Sequence, residues 1–305
     1  MTNSRTDLSG WFLALSAFLW WGLAPIYFKA VDHVSALEIL AHRVAWSVPI
    51  TLALMAFMRK RIALKIIFSD RKVLLGLISS SLLISVNWFI FTWAVTNDQI
   101  LATSLGYFIN PILSILMGVI LLSEKLTKLQ WSAVGCVVLG VANQIFNYGE
   151  VPWIALSLAT SFGIYGLIKK QLKVDTLNGF LVETTIALPV AIGYIVWTLV
   201  VGQALFLHST QSTDWLLIAG GIITAVPLII FATAAKKIPL SAMGFLQFIA
   251  PSITFILATK FYNEPLSSEQ LLSFIFIWIG LALYLVKPIK DFVGKNRTQR
   301  KTTTP

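Results

Sequence analysis

Ten stretches of nearly unbroken apolar residues alternate along the chain with short polar punctuation. Charges and turn residues bound them near 10–28, 35–57, 73–96, 100–122, 131–148, 152–168, 176–201, 214–235, 240–262 and 270–287. Each is close to the roughly twenty residues that an α-helix needs to cross a hydrocarbon core. A helix satisfies its own backbone in lipid, whereas an open sheet edge does not, so the expected class is an all-α polytopic membrane protein with ten transmembrane helices.

The pattern repeats. Sliding the chain by 140 residues lays Phe108, Ile109 and Pro111 on Phe248, Ile249 and Pro251, and Glu124, Leu126 and Gln130 on Glu264, Leu266 and Gln270. Ahead of the first loop the offset becomes 141, and Ala14, Gly22 and Lys29 meet Ala155, Gly163 and Lys170. Five spans is an odd number, so the second copy enters the membrane from the opposite side. The expected organisation is a first five-helix repeat over 1–149, a second, inverted repeat over 150–290, and a basic tail over 291–305. Such inverted repeats are a transporter signature, with a site near the midplane where the halves meet.

Composition narrows this further. Hydrophobic residues make up 57% of the 305 and charged residues 12%, which leaves no water-soluble reading and no room for a separate soluble domain. The formal charge of +10 suggests nucleic acid until its members are placed. Taking the N-terminus as cytoplasmic, Arg5, Arg59, Lys60, Arg61, Lys65, Arg71, Lys72, Lys125, Lys128, Lys169, Lys170, Lys173, Lys236, Lys237 and six tail residues fall on that side. Only Lys29 and Lys260 fall opposite, so twenty face two. This asymmetry is the positive-inside signal, with both termini cytoplasmic and the basic residues serving topology and anionic lipid, and no nucleic-acid partner is expected. The single cysteine, Cys136, excludes an internal disulfide and reads as packing.

The segments PIYFK, EILAHRVAWS, NWFIFTWAV, SLGYFINPILSILMG, FLVETTIALPVA and GFLQFIAPSITF, in this order over essentially the whole chain, resemble RarD-type permeases of the EamA family in the drug/metabolite transporter superfamily. The resemblance implies a ten-helix permease in a bacterial inner membrane, leaning towards export. The paired Glu124/Leu126/Gln130 and Glu264/Leu266/Gln270 look like the ending helices of the EamA repeat.

Candidate chemistry lies inside the spans. An arginine at mid-span costs roughly 2.5–3.5 kcal/mol on insertion scales, so Arg43 requires a partner or a wet cavity. Glu38, His42 and Trp46 share a stripe of the same helix, and Arg43 lies about 100° round from His42. Under the repeat offset Arg43 meets Glu183, a charge of opposite sign. The functional reading is a charge pair that binds a substrate carboxylate or phosphate through Arg43 and responds to protons through Glu183, Glu38 or His42; the structural reading is a bridge between two helices. Ser104, Tyr107, Asn110 and Pro111 are answered by Gly244, Gln247 and Pro251, and both helices are expected to kink there, because proline frees a carbonyl. That carbonyl lines a cavity or the kink serves packing. Asn87, Trp88, Trp93 and Tyr165 offer stacking surfaces or interfacial anchors. Ser114 and Gly118 give small-residue spacing for close helix contact. Lys29 and Lys170 are expected to snorkel, and Glu124 and Glu264 to cap helices near the interface.

No paired catalytic carboxylates, nucleophile with base, HExxH or other metal-ligand spacing appears, so neither enzyme, metal nor cofactor is expected. Without a GxxxxGK[ST] loop, ATP is not the direct energy source. The expectation is a secondary permease for a small metabolite or drug-like molecule, proton coupling being one option. Spans one to four and six to nine enclose its cavity, and the fifth and tenth form scaffold or a homodimer surface. The alternative is a membrane scaffold or receptor.

Overall fold

A computed structural model describes residues 8–62, 64–97, 100–148, 152–261 and 268–302. Arg5, Glu264 and Leu266 lie outside the described residues, as do the side chains of Lys65, Ala102, Ser104 and residues 291–302. The described chain is helical, with no strand: α1 (Leu8–Ala30), α2 (Ala36–Phe57), α3 (Leu64–Ser69), α4 (Arg71–Thr96), α5 (Ile100–Leu121), α6 (Lys128–Tyr148), α7 (Trp153–Gln171), α8 (Thr176–Val200), α9 (Gln211–Lys237), α10 (Leu240–Gln247), α11 (Ile249–Lys260) and α12 (Ser268–Thr302). Eight stretches are long and apolar enough to cross a membrane, and α5 adds a shorter apolar run, Leu105–Leu121. Helix α7 is not among them. It carries Ser157, Thr160, Ser161, Lys169 and Lys170, residues a helix tolerates in lipid only when neighbours cover them.

Local chemistry sets the helix ends. Ser35 caps α2 by accepting from the Glu38 amide, Asp175 caps α8 from Asn178, Asp70 caps α4 from Lys72 and Val73, and Thr210 caps α9 from Thr213. Thr127 and Gln130 form a reciprocal capping box at the start of α6. The starts of α2 and α8, α4 and α9, α5 and α10, and α6 and α12 are each 140 residues apart. Helices α2 and α8 also end alike, in a residue of left-handed backbone, Arg59 (φ 53°) and Gly202 (φ 69°), followed by a bond from Lys60 N–H to the Met55 carbonyl or from Gln203 N–H to Thr198.

The proline pair behaves differently from expectation. Helix α5 runs unbroken through Pro111, whereas the corresponding helix is split at Phe248 into α10 and α11, three residues before Pro251. Pro251 lacks the N–H that would bond the Gln247 carbonyl, and Phe248 instead takes the tighter bond to Phe245. A short helix, α3, also appears in a loop where none was expected, and α12 continues to Thr302, through most of the tail.

Packing is close where residues are small. Helices α1 and α2 each lie against α9, and α7 and α8 each lie against α4, rather than on one another; α5 packs on α7 and α10, α1 on α11, and α6 on α12. A methyl group added at Gly221 would sit 2.6 Å from Trp46, and one at Gly244 2.6 Å from the Pro111 carbonyl. At the α6–α12 seam Gly140 faces Ser273 and Ile277, and Gly280 faces Ala133 and Val137. The outward faces carry Phe12, Phe57, Ile120, Val190, Val200 and Trp215 fully or largely exposed, as helices surrounded by acyl chains require.

Candidate functional site

Arg43 projects from α2 into the space between α1, α4 and α9. Its Nε–H donates to Thr224 Oγ1 of α9 at 2.8 Å. The guanidinium carbon lies 5.3 Å from the Phe28 ring centre and 5.5 Å from that of Trp88, within the range of cation–π attraction. Gly220 makes room for the side chain: a methyl there would meet Arg43 Cγ at 3.0 Å and the Tyr27 hydroxyl at 2.6 Å. Tyr27 in turn donates to the Leu216 carbonyl at 3.2 Å. Phe28, Phe91 and Tyr107 form a chain of tilted and edge-on rings along the same chamber. Tyr107 lies within electrostatic reach of Arg43 and keeps 54% of its surface accessible. Among the described residues no carboxylate stands within 4 Å of Arg43. An intramembrane guanidinium held by one hydroxyl and two rings retains free donors for an anion.

Glu183 does not pair with Arg43. It accepts from Lys169 Nζ of α7 at 2.9 and 3.0 Å through its two carboxylate oxygens, and from the Ser80 hydroxyl of α4. The two charged side chains are only 1% and 2% exposed. Ser81 adds a bond to the Glu183 carbonyl at 2.8 Å, and the Tyr165 ring lies 5.7 Å from the Lys169 ammonium. Lys169 corrects the sequence reading, which placed it with the loop charges. Its stripe partners Ser161 and Tyr165, spaced by four, were the available signal, since they set the inward face on which Lys169 falls, one residue beyond the expected end of the span. Lys170 likewise does not snorkel; it donates to the Ala235 and Ile238 carbonyls at the end of α9, at 3.0 and 2.6 Å. Lys236 donates to the Val174 carbonyl.

The remaining candidates fall into separate places. Glu38 is buried and its Oε1 accepts from the Leu205 and Phe206 amides at 2.8 and 3.0 Å, which ties the α8–α9 loop to α2. His42 Nδ1 accepts from Trp46 Nε1–H at 3.2 Å, so a neutral ring carries its proton on Nε2, which is buried with no partner among the described residues. The ring packs 4.5 Å from Phe206. Asn110 donates to Gln247 Oε1 at 2.8 Å and Gln247 donates to Ser114 at 3.2 Å, a polar seam between α5 and α10 at the two proline turns. Asn87 bonds the Leu158 carbonyl and Ser161, both at 2.9 Å, and so joins α4 to α7. Glu124 caps a helix far away in sequence: it accepts from the Leu240 amide at 2.6 Å and from the Ser241 amide at 2.9 Å and hydroxyl at 2.6 Å. Of the expected binding and stacking residues, Arg43, Trp88 and Tyr107 share the chamber. Phe28, Tyr27 and Thr224, which complete it, carry no charge or rare residue to mark them in the sequence.

Known proteins match this arrangement over most of its length. The EamA-like transporter family model matches residues 8–143. An uncharacterized transporter of Vibrio cholerae is 41% identical over 292 residues, covering 95% of this chain and 96% of its own. The protein RarD of Escherichia coli is 41% identical over 301 residues, 99% of each chain, and the uncharacterized transporter YojE of Bacillus subtilis is 39% identical over 294 residues, 95% and 97%. A protein of known crystal structure, 15% identical, shares the fold at a TM-score of 0.71 over 90% of this chain and 96% of its own.

Proposed function

Since this chain belongs to the EamA-like transporter family, as a RarD-type permease of the drug/metabolite transporter superfamily, we propose that it exports a small anionic or zwitterionic metabolite by alternating access, anchored at Arg43. The observation that carries this reading is the state of Arg43: a cation inside the membrane segment of α2, mostly buried in an aromatic chamber and without a carboxylate partner among the described residues. A purely structural cation at such a depth would spend its donors on a carboxylate or on backbone carbonyls, as Lys169 and Lys170 do. Glu183, Glu38 and His42 are the titratable groups through which a proton gradient would act.

Two inverted halves, 1–149 and 150–290, supply the alternation. The packing supports them, because exchanging the halves maps the most extensive contacts onto one another. The α1–α9 contact becomes α7–α4, α2–α9 becomes α8–α4, and α5–α7 becomes α11–α1, while α2–α8, α5–α10 and α6–α12 return themselves. Gly140 against Ser273 likewise becomes Gly280 against Ala133. In this reading ten spans lie in a bacterial inner membrane with both termini cytoplasmic. Setting aside Lys169, Lys170 and Lys236, which have internal partners, the basic residues still favour that side by seventeen to two.

The test compares cells expressing the intact chain, its Arg43→Gln variant, or neither, at matched membrane levels, by untargeted mass spectrometry of small molecules inside and outside. A metabolite that redistributes with the intact chain alone supports transport through Arg43. A correctly folded Arg43→Gln variant that redistributes it equally well removes Arg43 from the pathway, and no redistribution by any chain favours a scaffold or receptor role.

A further inference from the structure

The offsets that relate the halves place Glu183 on Arg43, Lys169 on Phe28, Ser80 on Gly220, Ile84 on Thr224 and Leu228 on Trp88. Several groups around Glu183 are therefore counterparts of groups around Arg43, but the two surroundings differ: Tyr165 falls on Ala24. On the Arg43 side Tyr107 is half accessible. The Glu183 side is sealed down to a cavity with room for about one water molecule, bordered by Ser85, Trp88, Tyr165, Glu183, Thr184 and Leu228 among others. Tyr165 is wholly buried on this cavity, and its hydroxyl has no hydrogen-bond partner among the described residues. The groups facing Lys169 Nζ are both oxygens of a carboxylate at 2.9 and 3.0 Å and the face of a tyrosine ring at 5.7 Å. A carboxylate with an aromatic face is a receptor for a compact ammonium charge.

We propose that Glu183 and Tyr165 form a second binding site, for a primary ammonium group, which in this state is closed and occupied by the chain's own Lys169. Departure of Lys169 opens it to the membrane face opposite the Arg43 chamber; this last step rests on the alternating-access reading above, and the binding chemistry does not. Lys169 is thus a tethered ligand. While it sits on Glu183 the pair is complete, and Ser80 and Ser81 of the first half are held against α8 of the second. Removing the ammonium leaves an unpaired buried carboxylate, which favours water entry or a replacement cation.

The experiment uses the full chain with Cys136→Ser, in sealed membrane vesicles of either orientation. Ser85→Cys reports on the Glu183 cavity and Tyr107→Cys, in a separate chain, on the Arg43 chamber, each through reaction with a charged, impermeant thiol reagent. Adding Lys169→Ala is expected to raise the Ser85→Cys rate by about tenfold or more, because an unpaired buried charge recruits water. n-Butylammonium at millimolar concentration is expected to restore the slow rate, and n-butanol to leave it fast. Adding Glu183→Gln is expected to abolish the butylammonium effect. The neutral pair Lys169→Ala with Glu183→Gln leaves no charge unpaired, so it keeps the fold, and it labels fast because the space that Lys169 filled is left open. Indifference of Ser85→Cys to loss of Lys169, in both the alanine and the neutral-pair variants, overturns the closed site, and a Lys169→Ala variant that ignores butylammonium overturns its ammonium specificity. Should butylammonium act while both reporters react from the same face, the ammonium site stands and alternating access fails.

Discussion

Replacing Gly221 by alanine tests whether the approach of α2 to α9 is as tight as the structure has it. An ideal Cβ at this position lies 2.6 Å from both the carbonyl carbon and Cβ of Trp46 and 2.7 Å from Ile50 Cδ1. Two of these atoms belong to or adjoin the α2 backbone and cannot rotate aside, so the helices must part. Overpacking of this kind costs about 1–3 kcal/mol, and alanine's better helix propensity returns about 1 kcal/mol at most. Gly193 on α8 is the control: a Cβ there meets nothing within 4 Å. Gly193→Ala should therefore stabilise by about 0.5–1 kcal/mol and Gly221→Ala destabilise by about 1–2 kcal/mol. Heating the detergent-purified proteins and following the folded fraction by size exclusion measures the order of melting. A Gly221→Ala protein that melts at or above Gly193→Ala refutes the spacing, and with it the account of how Thr224 is brought to Arg43.

Other expectations are independent of transport. Arg59 holds a left-handed backbone where its counterpart is a glycine, so Arg59→Gly should raise the melting temperature, the relief being about 1 kcal/mol. Glu38→Ala deletes the acceptor of two loop amides, each charge-assisted bond being worth about 1.5–3 kcal/mol, and should make the segment around Leu205 and Phe206 the first site of cleavage in limited proteolysis. Partial burial pushes the Asp175 carboxyl up, but bonds from the Asn178 amide and side chain and the Lys60 ammonium outweigh it and hold the group below the usual carboxylate range. Its contribution is therefore fully present above the unfolded-state value and lost as pH falls through the folded one; Asp175→Asn should flatten the acid limb of a pH–melting profile.

Helix positions were legible because lipid makes length and apolarity nearly sufficient: each of the ten expected segments falls on a helix or, in the ninth, on the α10–α11 pair. The split at Phe248 was not legible, since Pro111 and Pro251 carry the same local instruction. The difference lies between helices, where Gly244 lets α10 settle onto the Pro111 turn while the matching position on α5 is Ser104. Arg43 and Glu183 stood out as charges where charges are costly. Their partners did not, because Thr224 and Phe28 are ordinary intramembrane residues and Lys169 sits beside Lys170 and Lys173, a neighbourhood that reads as loop. The cap from Glu124 to α10 crosses 116 residues, a pairing that no local window contains.

That cap has a consequence for biogenesis. Glu38 and Glu124 belong to the part of the chain that leaves the ribosome first, yet the amides they accept from are at 205–206 and 240–241. Ser80 and Ser81 likewise await Glu183. During synthesis the early helices emerge with their polar clasps unfilled, and they lock only when the later segments arrive. A nascent chain halted near residue 149 would thus be inserted but unfastened, an open target for membrane proteases until elongation resumes.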